Sequence, residues 1–167
     1  VAARLAGRRF VGYDADPAYV AAAAARVASL DPPIGRTDLR TLKEIALASL
    51  GAVGFTDVRR DVRLASGATV SFRATDAAGR PVLFELAGGH TSVRPGLSRI
   101  EVVWRAIAKA ALAATAMPGV PFVVLTEGRV RGGPLPAVVG GGRPIAAVVD
   151  LLDDPEAALA RLAGMTP

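Results

Sequence analysis

Residues 69–88, TVSFRATDAAGRPVLFELAG, alternate apolar and polar side chains on both sides of a short turn signal, a pattern that few local structures can satisfy. Val70, Phe72 and Ala74 fall on one face of a first strand, and Val82, Phe84 and Leu86 on one face of a second, because successive side chains of a strand point to opposite sides. Asp76 to Gly79 supplies the turn. The opposite faces carry Ser71 and Arg73 on the first strand, with Glu85 and Ala87 on the second, so any chemistry of this hairpin lies there. A third strand is expected at Val58–Leu64 and a fourth at Pro121–Thr126. Helices are expected at Leu39–Leu50, stopped by Gly51, and at Arg99–Met117.

In the first helix Leu42, Ile45, Ala46 and Leu50 form the apolar stripe, and Glu44 lies off it as a solvated acid. In the second, Ile100, Val103, Ile107, Ala111 and Leu112 are the expected core face and Trp104 a packing residue. Glu101, Arg105 and Lys109 form a charge ladder at intervals of four. His90 sits in a glycine-bearing loop with Arg94 and reads as a solvated side chain. Residues 127–144 read as an irregular crossing, followed by a strand at Ile145–Leu151 and a helix at Pro155–Leu162 capped by Asp153 or Asp154.

The order helix, three strands, helix, strand, with an acid on the first helix and a polar pair on the hairpin, resembles the PD-(D/E)XK nuclease-like fold over Arg36–Glu127. In that family an acid on one hairpin strand and an acid plus a lysine on the next hold divalent metal and activate water. The resemblance puts Glu85 at the second acid, Ser71 at the first and Ala87 at the lysine, with Lys109 conceivable as a displaced lysine. It implies the fold, a mixed sheet flanked by helices, without the full catalytic set. A nuclease would need Mg2+ on Glu85, with Glu44 or Asp76 as the weaker candidate partners.

Upstream, Arg8–Asp16 (RRFVGYDAD) reads as a strand ending in acids, and Pro17 with Tyr19 opens a helix reaching about Leu30. An acid at the carboxyl end of such a strand accepts hydrogen bonds from a ribose in doubly wound folds, which makes Asp14 the candidate. Ala2–Val27, with Gly7-Arg8-Arg9, Gly12-x-Asp14, Pro17 and Tyr19 in order, resembles the cofactor-binding tail of DNA methyltransferases that modify the exocyclic amino group of adenine or cytosine. By that resemblance Asp14 binds the ribose hydroxyls of S-adenosylmethionine and Tyr13 lies near the adenine. The family's Asp-Pro-Pro-aromatic motif and Gly-rich loop are not in this sequence. Asp31-Pro32-Pro33 is followed by Ile34, not by an aromatic that would stack on a flipped base. The chain is therefore expected to be the last part of such an enzyme, its partner the missing N-terminal portion. Val1–Leu5 would be the end of a truncated helix.

The expected organisation is α/β: a partial doubly wound fragment over 1–30, a Pro/Gly linker over 31–37, and a degenerate restriction-endonuclease-like domain over 38–167. With no cysteine and one histidine in 167 residues, thiolate metal sites and disulfides are excluded and zinc is disfavoured. The formal net charge of +5 is compatible with DNA as partner, with Arg63, Arg73 and Arg94 the candidate phosphate contacts. Eighteen of the 20 basic residues are arginine in a chain rich in alanine, glycine and proline, so a GC-rich coding bias accounts for part of that charge. No apolar run is long enough to span a bilayer, and a cytoplasmic protein of a restriction-modification type is expected. The competing readings are a non-catalytic DNA-binding module and a metal-dependent nuclease.

Overall fold

The computed structural model describes residues 15–28, 41–88, 96–128 and 134–163. The chain divides into two compact units, Val1–Leu39 with Thr91–Val93, and Arg40–His90 with Arg94–Pro167. Of the first unit, helix α1 (Pro17–Ala28) is described. Pro17 starts it as expected, and the Asp16 carboxylate accepts a hydrogen bond from the Ala18 N–H at 2.8 Å, satisfying one of the donors that a helix start leaves open. The readings for Val1–Leu5, for residues 8–14 and for the 31–37 linker lie outside the described residues.

The second unit runs α2 (Leu42–Ala52), β1 (Thr56–Arg63), β2 (Thr69–Thr75), β3 (Pro81–Ala87), a single 3-10 turn (Gly96–Ser98), α3 (Ile100–Ala116), β4 (Phe122–Thr126), α4 (Leu135–Val138), β5 (Ala147–Asp150) and α5 (Pro155–Ala163). Among the described residues the strands form one sheet in the order β1-β2-β3-β4-β5. The first three strands are antiparallel neighbours, whereas β3, β4 and β5 run parallel. The chain is therefore α/β with a mixed sheet. No helix of the described residues is long and apolar enough to cross a membrane.

Alternation along the strands separates two apolar clusters, one on each face. Phe72, Ala74, Val82, Phe84, Val123, Leu125 and Val149 pack with Leu42, Ala46 and Leu50 of α2 and Leu159 of α5. Phe55 meets Phe84 edge to face, with ring centroids 5.3 Å apart, an orientation that brings a ring's positive edge to its neighbour's negative face. Phe72 and Phe84 are fully buried, each stabilising the fold by roughly 1.5–3 kcal/mol through loss of apolar surface from water. On the other face, Leu83, Ala87, Phe122 and Val124 pack with Val102, Val103, Ala106, Ala110 and Ala113 of α3.

Several expectations are corrected. Helix α2 starts at Leu42, because Thr41 and Glu44 close a reciprocal capping box, and it runs through Gly51 to Ala52. The buried stripe of α3 is Val102, Val103, Ala106, Ala110 and Ala113, which keeps Val103 of the expected face, with Ile107 half-buried against it, and replaces the rest. Ile100, Trp104 and Leu112 are 54%, 56% and 44% exposed, and Ala111 is exposed as well. The small alanines let α3 lie close on the sheet, so the bulky side chains turn outward. Val70 packs with the α3-side cluster, not with Phe72 as strict alternation requires. The β2–β3 register runs from Phe72↔Phe84 to Thr75↔Pro81, and beyond Phe72 the Ser71 and Glu85 side chains take over the bonding between the strands. The 127–144 crossing contains α4 and a parallel bridge between Val139 and Ile145. At α5 the Asp154 carboxylate accepts from the Ala157 N–H.

At the closed end of the hairpin, Asp76 accepts hydrogen bonds from the Ala78 and Arg80 N–H groups at 2.9 and 2.8 Å. The Arg80 guanidinium bonds the same carboxylate and also donates to the Ala163 carbonyl, 83 residues away, at 3.3 Å.

Candidate functional site

The polar cluster of the second unit forms where β2 and β3 separate. Glu85 follows Leu83 and precedes Ala87 on the face covered by α3, and it is buried, with 7% of its surface accessible. One carboxylate oxygen, Oε1, receives the Lys109 ammonium at 2.6 Å. The other, Oε2, accepts from both the Ser71 N–H and the Ser71 hydroxyl at 3.2 Å. Ser71 Oγ in turn accepts from the Leu86 N–H at 2.9 Å, so this hydroxyl donates to one strand's carboxylate and accepts from the same strand's backbone. A buried carboxylate is tolerated when it is paired and hydrogen-bonded in this way.

Both carboxylate oxygens of Glu85 are thus engaged by protein groups. A divalent cation needs several oxygen ligands, and the described residues contain no group of three or more acidic or histidine side chains that could hold one. Glu44 sits on α2, against the opposite face of the sheet, where its carboxylate accepts from the Thr41 N–H at 2.6 Å. Asp76 lies at the closed end of the hairpin, held by Arg80, and Glu85 at the open end. The three acids weighed as metal ligands are thus dispersed. Ser71 and Glu85 do come together, as the sequence placed them on one face. Lys109, a rung of the expected charge ladder and the conceivable displaced lysine, reaches Glu85, and Ala87 is buried beneath α3.

Beside this cluster, the carboxyl end of β3 and the first two turns of α3 enclose an open recess with about 390 Å³ of free space, lined by Glu85, Gly88, Arg99, Val102, Arg105 and Ala106. Its walls come close because glycine permits it. A Cβ on Gly96 would lie 1.9 Å from the Ala87 carbonyl oxygen, so the chain entering α3 presses directly on the end of β3. Arg99 stands at the N-cap of α3 without a side-chain capping bond. Its Nε is buried with no hydrogen-bond partner, and the Glu101 carboxylate lies 3.9 Å away.

Of the candidate DNA contacts, Arg63 is exposed at the end of β1, opposite Thr69. Arg73 is half-buried with Arg59 directly across from it on β1 and Leu83 on β3; Arg59 bonds Asp57 at 3.2 Å. Arg94, His90, Asp14 and Tyr13 lie outside the described residues. What the sequence reading missed is Arg99 and Arg105 as neighbours of one recess, while Lys109, weighed there as a displaced lysine, does reach Glu85. The signal for all three was the small-residue stripe Ala106, Ala110, Ala113, which sets the face that α3 turns to the sheet.

No protein-family description, no curated protein and no solved structure matches this chain.

Proposed function

We propose that the second unit is a non-catalytic, DNA-contacting module of nuclease-like fold, attached to the final cofactor-binding segment of a DNA amino-methyltransferase. The observation that carries the module reading is Glu85. Its carboxylate is bonded on both oxygens by Lys109 and Ser71, on a face that Glu44 does not share, so a lone acid stands where metal-dependent hydrolysis requires a set. The order helix, three strands, helix, strand supports the nuclease-like fold. Arg63 and Arg73, for which the described residues offer no acid partner, support an anionic partner, because each phosphate they neutralise releases counterions.

The methyltransferase part rests on the likeness of Ala2–Val27, in which Asp14 and Tyr13 would meet S-adenosylmethionine. Helix α1 beginning at Pro17 is in keeping with it. Asp14 and Tyr13 would hold and orient the ribose and adenine of the cofactor, which when bound supplies the methyl group. In this reading the groups that act on the base are not among the residues of this chain.

The test uses the whole chain with a labelled DNA duplex. Binding is expected to fall steeply with salt and to survive Glu85→Gln, with no Mg2+- or Mn2+-dependent nicking and no transfer of labelled methyl groups to DNA. Nicking that disappears in Glu85→Gln would overturn the module reading in favour of a nuclease. Methyl transfer by the chain alone would overturn its assignment as a non-catalytic part.

A further inference from the structure

The recess between β3 and α3 carries two guanidinium groups for which the described residues offer no hydrogen-bonded acid. Glu85 forms its floor, but that carboxylate already receives an ammonium, a hydroxyl and a backbone N–H. Arg99 and Arg105 remain on the walls. Among the described residues Arg105 makes no hydrogen bond or ion pair. Among the described residues Arg99 has a buried Nε without a hydrogen-bond partner, and the Glu101 carboxylate is beyond hydrogen-bonding distance at 3.9 Å. A buried N–H left without an acceptor is unfavourable, and in native proteins such a group commonly marks the place of a water or ion. Here the donor belongs to a guanidinium, whose forked N–H groups match the oxygens of a phosphate.

Position adds to charge. The recess lies beyond the carboxyl end of β3, a strand parallel to β4, and open α/β sheets take up ligands at that end of their strands. The first turn of α3 faces it with the positive end of a 17-residue helix. The recess is open to solvent, which suits one phosphate group of a larger molecule more than complete enclosure of a small one.

We infer that this recess is a phosphate-binding site, with Arg99 and Arg105 as the ligating side chains and the Glu85–Lys109 pair as a fixed floor that positions α3. The phosphate belongs either to a nucleic-acid backbone or to a free phosphate or its monoester. The first source, though not the site itself, rests on the function proposed above.

Three forms of the whole chain decide it: wild type, Arg105→Ala, and Arg161→Ala, an exposed arginine on α5 against the opposite face. Each is titrated into a fluorescein-labelled DNA duplex across a range of salt, and each is melted in phosphate and in chloride at matched ionic strength. For a backbone phosphate, Arg105→Ala weakens duplex binding at least about threefold and lowers the slope of log K against log salt by about one, while Arg161→Ala changes less. For a free phosphate, the duplex curves of wild type and Arg105→Ala coincide, and Arg105→Ala alone loses the extra thermal stabilisation that phosphate gives over chloride. If the wild type fails to bind duplex but gains the extra stabilisation in phosphate that Arg105→Ala loses, the recess stands and the DNA-contacting reading falls. If Arg105→Ala matches wild type in both measurements, the phosphate site is overturned, even where duplex binding persists.

Discussion

At the residue scale, a carboxylate's surroundings decide whether its charge is available. Asp76 shows this most plainly: hydrogen bonding to the Arg80 N–H is the main cause holding its carboxyl below the usual value of 3.8, with burial opposing and the Arg80 side chain and Ala78 N–H assisting. A carboxyl lowered on folding contributes stability that is complete above its unfolded value and is lost as pH falls through its folded value. Asp76→Asn is therefore expected to lower the urea midpoint at pH 7, with the gap from wild type narrowing as pH drops below about 3.8. A gap of constant size down to pH 2 would exclude an ionic origin. Asp76 as a turn residue was legible from its place before Ala77-Ala78-Gly79, since aspartate bonds the backbone of turns. The pairing of Glu85 with Lys109 was not, because the two are 24 residues apart and meet only through the rotation of a helix about its own axis.

Elements carry the next part. The β2–β3 hairpin was readable because alternation of period two leaves one burial solution. It failed at Val70 alone, where side chains replace the ladder bonds. Helix α3 was readable in extent but not in rotation: bulk suggested Ile100 and Leu112 as core, whereas close approach to the sheet selected alanine. Two glycines isolate that distinction between local propensity and packing. Gly51 lies within α2 with nothing near its missing Cβ, and Gly96 abuts the Ala87 carbonyl. Gly51→Ala should raise stability by about 0.5–1 kcal/mol, the helix-propensity difference. Gly96→Ala should lower it by about 1–3 kcal/mol, as overpacking does, when both are compared by denaturant unfolding. Equal effects of one sign would mean that the 96–98 turn does not bear on β3.

For the whole molecule, the α/β class and the element order could be read from periodicity, while the fifth strand's parallel pairing and the placement of helices on opposite faces could not. Those depend on contacts between segments distant in sequence. The most distant of them described above joins the hairpin turn to the end of α5 through Arg80 and Ala163, across 83 residues. Local hairpin contacts close short loops, whereas this one waits for the chain between them to be ordered. The closing helix is therefore expected to be added after the barrier to folding has been crossed and to loosen early in unfolding. Leu159→Ala, which empties a fully buried position on α5, is expected to speed unfolding and leave the refolding rate nearly unchanged in stopped-flow denaturant jumps. A slowed refolding arm would instead put α5 in the nucleus. The Arg80 bridge makes the lifetime of the folded sheet, more than the speed of its formation, a property of the last nine-residue helix.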